Sequence, residues 1–155
     1  MMTIPLAMPG PETINAWARL VRVSRQLVDA VEEQLKAAGL PALAWYDVLH
    51  ELAEAGEGGL RPFQLTERIL LQQYNVSRLL ARLEANGLIE KLMVESDGRG
   101  QTVRITPAGR EMRRRIWAVY GLAIASLFED KLSEDEVGML TAILGKLRAP
   151  VSSKA

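Results

Sequence analysis

A chain of 155 residues with 48% hydrophobic, 25% charged and 5% aromatic side chains has the composition of one globular domain, or of two small units sharing a core. Lacking cysteine, it has no thiol nucleophile, CxxC redox pair or thiolate metal site, and a single histidine, His50, excludes a zinc site built from several imidazoles. Nineteen basic residues balance nineteen acidic ones, but between Arg61 and Arg115 eleven basic residues face six acidic ones. Such a basic block with acidic flanks presents a local positive face to a polyanion while the chain as a whole stays neutral.

The apolar runs are short and broken by charge, well below the roughly 20 residues that cross a bilayer. The stretch Met1 to Pro11 has no basic start and carries three prolines, so it does not read as a signal peptide, and a cytoplasmic protein with no membrane partner is expected.

Residues 12–38 place Leu20, Leu27, Val31 and Leu35 on one helical stripe that stops at Gly39, with Pro41 just beyond. A second helix is expected from about Ala42 to Ala55, ending at Gly56 and the turn Glu57-Gly58-Gly59. A short helix from about Pro62 to Leu70 leads into another from about Gln72 to Asn86, with Val76, Leu79, Leu80 and Leu83 inward and Gly87 as its stop. Two short helices with a tight junction read as a helix-turn-helix.

The period then changes. Leu88 to Glu95 and Gln101 to Thr106 read as two strands, Val103 and Ile105 alternating with Thr102 and Arg104, around the hairpin tip Ser96-Asp97-Gly98-Arg99-Gly100. Thr106 with Pro107 opens a long helix to about Lys131. Ser133 and Glu136 form a capping box for a last helix with Val137, Leu140, Leu144 and Leu147 on its apolar side. The fold class is therefore mainly α with a small two- or three-stranded antiparallel wing. It is a winged helix-turn-helix (42–106) within one chain unit of 1–155, flanked by N- and C-terminal dimerisation helices (12–38 and 107–147).

The run from Tyr74 to Lys91, Y-N-V-S-R-L-L-A-R-L-E-A-N-G-L-I-E-K, resembles the second helix and first wing strand of the MarR (multiple antibiotic resistance regulator) family. The wing Asp97-Gly98-Arg99-Gly100 followed by Val103-Arg104-Ile105-Thr106-Pro107-Ala108-Gly109 is similar to the family's second signature, and the likeness spans about residues 12–147. Ala81 stands where many relatives carry an Asp, and Lys91 replaces an Arg. The resemblance implies a homodimer with interlocked terminal helices, double-stranded DNA as partner, and a small-molecule effector in a crevice between the dimer helices and the DNA-binding lobe.

The helix-turn-helix has its own physical logic. The major groove admits one helix, whose N-terminal side chains reach base edges. Here that end offers Gln72, Gln73, Tyr74, Asn75, Ser77 and Arg78; the alternative for Gln72, Gln73 and Asn75 is a solvated first turn in which Gln73 or Asn75 satisfies loose backbone donors. Arg78 and Arg82, one turn apart, suit phosphates or a pair with Glu84. Arg99, between two glycines at the wing tip, suits a narrow minor groove or an ion pair with Asp97. Lys91 and Arg104 are further phosphate contacts.

Two related recognition helices read half-sites about one helical turn apart, so a pseudo-palindromic operator is expected. Ile14, Trp17, Trp117, Leu122, Leu127, Leu140 and Leu144 are expected at the dimer interface. Trp17, Arg22, Trp45, Tyr46, His50 and Arg115 combine aromatic walls with cations, which suits a small aromatic or anionic ligand; the same rings also fit plain core. The acids Glu134, Asp135 and Glu136 sit where a helix dipole favours them and need no metal. No HExxH, GxSxG, Walker A or GxGxxG occurs, so no cofactor and no enzyme chemistry is expected. The function these features point to is a ligand-relieved repressor. The alternative is a winged-helix protein-interaction module without DNA binding.

Overall fold

The computed structural model describes residues 7–70, 75–93 and 100–148. Among them the order is α1 (Pro11–Ala37), α2 (Leu43–Ala55), α3 (Pro62–Arg68), α4 (Val76–Ala85), β1 (Ile89–Met93), β2 (Gln101–Ile105), α5 (Pro107–Leu127) and α6 (Glu134–Leu147). The strands pair antiparallel, Ile89 opposite Ile105 and Met93 opposite Gln101. A single bridge from Leu60 to Val103 adds the rudiment of a third strand, so the wing is two-stranded with one extra rung. The fold is a winged helix-turn-helix between terminal helices.

Helix α2 divides the interior. Val48, Leu49 and Leu52 enter one cluster with Leu60, Leu65, Leu80, Leu83, Ile89 and Val103, which closes the helix-turn-helix onto the hairpin. Leu43 and Tyr46, on another side of the same helix, join Val31 and Leu35 of α1 and Ile116 and Ala123 of α5. Burying a leucine in either cluster contributes about 1.5–3 kcal/mol, so α2 ties the two together through its own packing.

Two glycines are set by close approach. Gly59 has φ +66°, and a Cβ there would lie 2.3 Å from the Val103 carbonyl oxygen, which is why the turn before the Leu60 rung carries no side chain. At Gly109, in the first turn of α5, a Cβ would meet the Leu88 carbonyl oxygen at 2.1 Å. The α5 start is pinned there by the Thr106 N–H donating to Leu88 O (3.0 Å) and by Thr106 Oγ1 accepting from Gly109 N–H.

Several boundaries differ from those expected. Helix α4 starts at Val76, not near Gln72, because Asn75 is its N-cap: Asn75 Oδ1 accepts from Arg78 N–H at 3.1 Å. Helix α3 stops at Arg68 instead of Leu70, since Ile69 turns extended (ψ 144°) to bury its side chain. Leu88 stays outside β1, its N–H donating back to Leu83 O. The long helix ends at Leu127 rather than near Lys131: Phe128 leaves helical geometry, and Glu129–Lys131 form a 3-10 turn. Glu129 and Asp130 would place two carboxylates at the negative end of the helix dipole. The Ser133–Glu136 capping box forms as expected, Glu136 N–H donating to Ser133 Oγ and Ser133 N–H to Glu136 Oε1.

The terminal helices leave apolar side chains uncovered. Ile14, Trp17, Leu20 and Val21 on α1, Trp117 and Leu122 on α5, and Met139, Ile143, Leu144 and Leu147 on α6 are exposed, Trp17 at 69% and Leu122 at 73%. Helix α6 buries none of its fourteen residues within the chain.

Candidate nucleic-acid interface

The interface is built outward from α4. Leu79, Leu80 and Leu83 are buried, and at about 100° per residue this aims Arg78, Ala81 and Ala85 away from the core. Arg78 and Arg82 are exposed, and neither side chain makes an ion pair or hydrogen bond with the described residues. Ser77 is exposed on the same helix, and Asn75, spent on the cap through its oxygen, stays exposed at the helix start. Ala81 is small, so the outward face combines two guanidinium groups with a surface that a groove floor can approach closely.

Hairpin and helix are joined by charge on one flank. Lys91 Nζ of β1 lies 3.8 Å from Glu84 Oε1 of α4, and Arg104 of β2 pairs with Glu90 of β1 through its Nε. Both expected phosphate contacts in the hairpin therefore have acidic partners within the chain. Gln72, Gln73, Tyr74 and Arg99 lie outside the described residues, as does Asp97.

On the opposite flank, Trp45 at the start of α2 is half-buried beside α4. Together with Ala42, Ala44, Asn75, Arg78 and Arg82 it lines a cleft of about 340 Å³.

The six residues expected around an effector do not converge. Trp17 and Arg22 are exposed on α1, Arg115 is exposed on α5, and Trp45 faces α4. Tyr46 and His50 do meet, and residues from α5 join them. Tyr46 stacks on His50 (5.5 Å between ring centroids) and on Trp117 (5.8 Å), with Tyr120 edge-on at 5.1 Å. Arg113 closes the stack: its NH2 group lies 2.9 Å from His50 Nδ1 and 3.8 Å from Glu54 Oε1. Guanidinium only donates, so His50 Nδ1 accepts and the imidazole proton sits on Nε2.

Burial raises the Tyr46 hydroxyl above its ordinary value against the opposing pull of Arg113, with Asp47 and Glu54 adding to the rise. Tyr120 is raised by burial first and then by Asp47. Arg113 and Tyr120 are members of this cluster that the sequence did not single out, and Trp117, expected at the dimer interface, joins them. Their spacing held the signal, since 113, 117 and 120 on one helix face 46, 50 and 54 on another at i, i+4 and i+7 or i+8.

Beside Tyr120 lies an apolar cavity of about 140 Å³ between α1 and α5, walled by Leu27, Val31, Leu43, Ile124 and Leu127. No group of three or more His, Asp or Glu side chains among the described residues is placed to hold a metal ion. No helix among them is long and apolar enough to cross a membrane.

Comparison with known proteins bears on this geometry. The MarR family model matches residues 38–100. An HTH-type transcriptional regulator of Bacillus cereus is 30% identical over 131 residues, which cover 84% of this chain and 85% of that protein. The MarR family transcriptional regulator Sco3205 of Streptomyces coelicolor, solved in complex with DNA, superposes with a TM-score of 0.81 at 25% identity over 96% of each chain. A mutant MarR from E. coli complexed with operator DNA superposes with a TM-score of 0.75 at 23% identity, covering 92% of this chain and 100% of that one.

Proposed function

Because the chain belongs to the MarR family of winged helix-turn-helix transcription regulators, we propose that it acts as a homodimer that binds a pseudo-palindromic operator and represses the adjoining genes. The observation that carries this reading is the outward face of α4, where Arg78 and Arg82 are exposed and unpaired among the described residues on a helix braced by the hairpin. Free guanidinium groups on a protruding helix neutralise phosphates or read guanine edges. The DNA complexes among the similar structures support the same partner.

Residues 42–106 serve as the DNA-binding region, and 12–38 with 107–147 as the dimerisation region. The uncovered apolar residues of α1, α5 and α6 support the second assignment, because exposed apolar side chains of this kind are what a second copy buries. Bound over a promoter, the dimer excludes polymerase from it.

Relief comes from a small aromatic ligand. The cavity beside Tyr120 has apolar walls and the volume of a single ring, and it lies between the helices whose packing sets the separation of the two recognition helices. A ligand there favours a dimer whose recognition helices no longer match the half-site spacing.

Fluorescence anisotropy with intergenic DNA beside the gene, followed by footprinting, tests the proposal. Saturable binding with a twofold-symmetric footprint is expected, weakened by Arg99→Ala without change in oligomeric state. Absence of binding to any fragment across a salt series would overturn it in favour of a protein-interaction module.

A further inference from the structure

The cleft between the start of α2 and α4 is lined in part by a donor side chain, Trp45. Trp45 is half-buried and packs against both core clusters, so its ring is held in place. Its indole N–H has no hydrogen-bond partner among the described residues, nor is it a buried orphan. An indole nitrogen can only donate. The same cleft receives Arg78 and Arg82, both unpaired among the described residues, and its floor is kept open by Ala42 and Ala44. Its lining thus offers four donor side chains, Trp45, Asn75, Arg78 and Arg82, two of them cationic, and no carboxylate.

Position selects the occupant. With Leu79, Leu80 and Leu83 inward, Arg78 points outward, while Asn75 and Arg82 lie on the flank of α4 opposite Glu84 and the hairpin. A helix lying in a major groove has a sugar-phosphate strand along each flank. One flank here is the hairpin side; the other is this cleft.

We propose that Trp45 is a DNA-backbone contact, its indole N–H holding one operator phosphate together with the guanidinium groups of Arg78 and Arg82. This rests on the DNA-binding reading above and adds a positioning residue to it. A phosphate gripped between α2 and α4 sets the angle at which α4 enters the groove without reading sequence.

The test begins with a duplex enriched from a random library by the purified full-length protein. Trp45→Phe keeps an aromatic ring and removes the N–H. The expected result is affinity about three- to tenfold weaker, by the same factor on the enriched duplex and on an unrelated one, with the salt slope unchanged because no charge is lost. Arg82→Gln should instead lower that slope by about one unit. Single methylphosphonate substitutions should reveal one phosphate per half-site whose neutralisation weakens the wild type by a larger factor than it weakens Trp45→Phe, which keeps only the two guanidinium contacts to it.

Wild-type affinity for Trp45→Phe, with an unchanged methylphosphonate pattern, overturns the inference and leaves DNA binding standing. Failure of the wild type to enrich any duplex overturns both. Should Trp45→Phe lose its fold, the wild-type indole N–H resonance of Trp45, assigned by elimination with Trp17→Phe and Trp117→Phe, provides the reading. It should shift on adding the enriched duplex, and a shift with benzoate alone would overturn the inference by making the cleft an effector site.

Discussion

Arg78 shows how one side chain can be placed by its neighbours rather than by its own contacts. Its backbone N–H is taken by the Asn75 cap, its helix is anchored by Leu79 and Leu80, and its guanidinium is left exposed without a partner among the described residues. Replacing it by alanine should leave the melting temperature within about a degree or two, since surface substitutions of this kind change stability by less than about 0.5 kcal/mol. DNA binding should suffer in one of two measurable ways. If the guanidinium meets a phosphate, the variant binds every duplex more weakly by the same factor, with a salt slope smaller by about one unit. If it meets a base edge, the penalty is about 1–3 kcal/mol and is confined to one operator position. Gly109 is the opposite case, a residue with no chemistry and no room. A Cβ at Gly109 would lie 2.1 Å from Leu88 O, an atom already committed to the Thr106 N–H, so the backbone at Leu88 cannot yield without breaking that bond. Gly109→Ala should destabilise the fold by about 1–3 kcal/mol in urea unfolding.

Among the elements, the α2–α5 joint is the least ordinary. Beside its aliphatic contacts it carries an aromatic and charged group, with Tyr46 between His50 and Trp117 and Arg113 at the edge. Both tyrosines there are raised above the ordinary 10.0 of a phenol, burial being the first cause for each. Such a group holds its proton more tightly folded than unfolded. Its contribution to stability is therefore complete below the unfolded value and is lost as pH climbs from there through the raised folded value. Absorbance titration near 295 nm should show Tyr46 and Tyr120 ionising above pH 10, with stability falling over the same range. Tyr46→Phe, which cannot ionise, should flatten part of that fall. A free-tyrosine titration at both positions would refute the burial argument. At the far end of the chain, the capping box holds the Glu136 carboxyl below its usual 4.5 through the Ser133 N–H and hydroxyl, so the start of α6 should loosen as acid protonates it.

For the whole molecule, the decisive feature is what the chain fails to cover. Leu122 is 73% exposed on α5, and Ile143 and Leu144 are exposed on a helix with no fully buried residue. A leucine moved from water into an interface contributes about 1.5–3 kcal/mol, and several together outweigh the entropy of association. Leu122→Asp combined with Ile143→Asp should shift sedimentation equilibrium from dimer towards monomer while the helix-turn-helix core keeps its own leucines. Operator affinity should fall with it, because each half-site is then bound alone. A variant that remains dimeric at micromolar concentration would remove these helices from the interface.

Much of this was legible in one dimension. Local signals determined the helices and the hairpin: the Gly39 and Gly87 stops, the Thr106-Pro107 start, the Ser133–Glu136 box and the period-two run at Val103 and Ile105 act through neighbours in the chain, and each took effect where it was written. What depends on atoms far apart in sequence was not readable. Lys91 and Arg104 acquired carboxylates from other elements. Trp45 and Tyr46, adjacent in the chain, went to opposite duties because successive residues on a helix point about 100° apart and α2 is packed on more than one side. One-dimensional spacing says which residues share a face; only the packing of three helices says what that face meets.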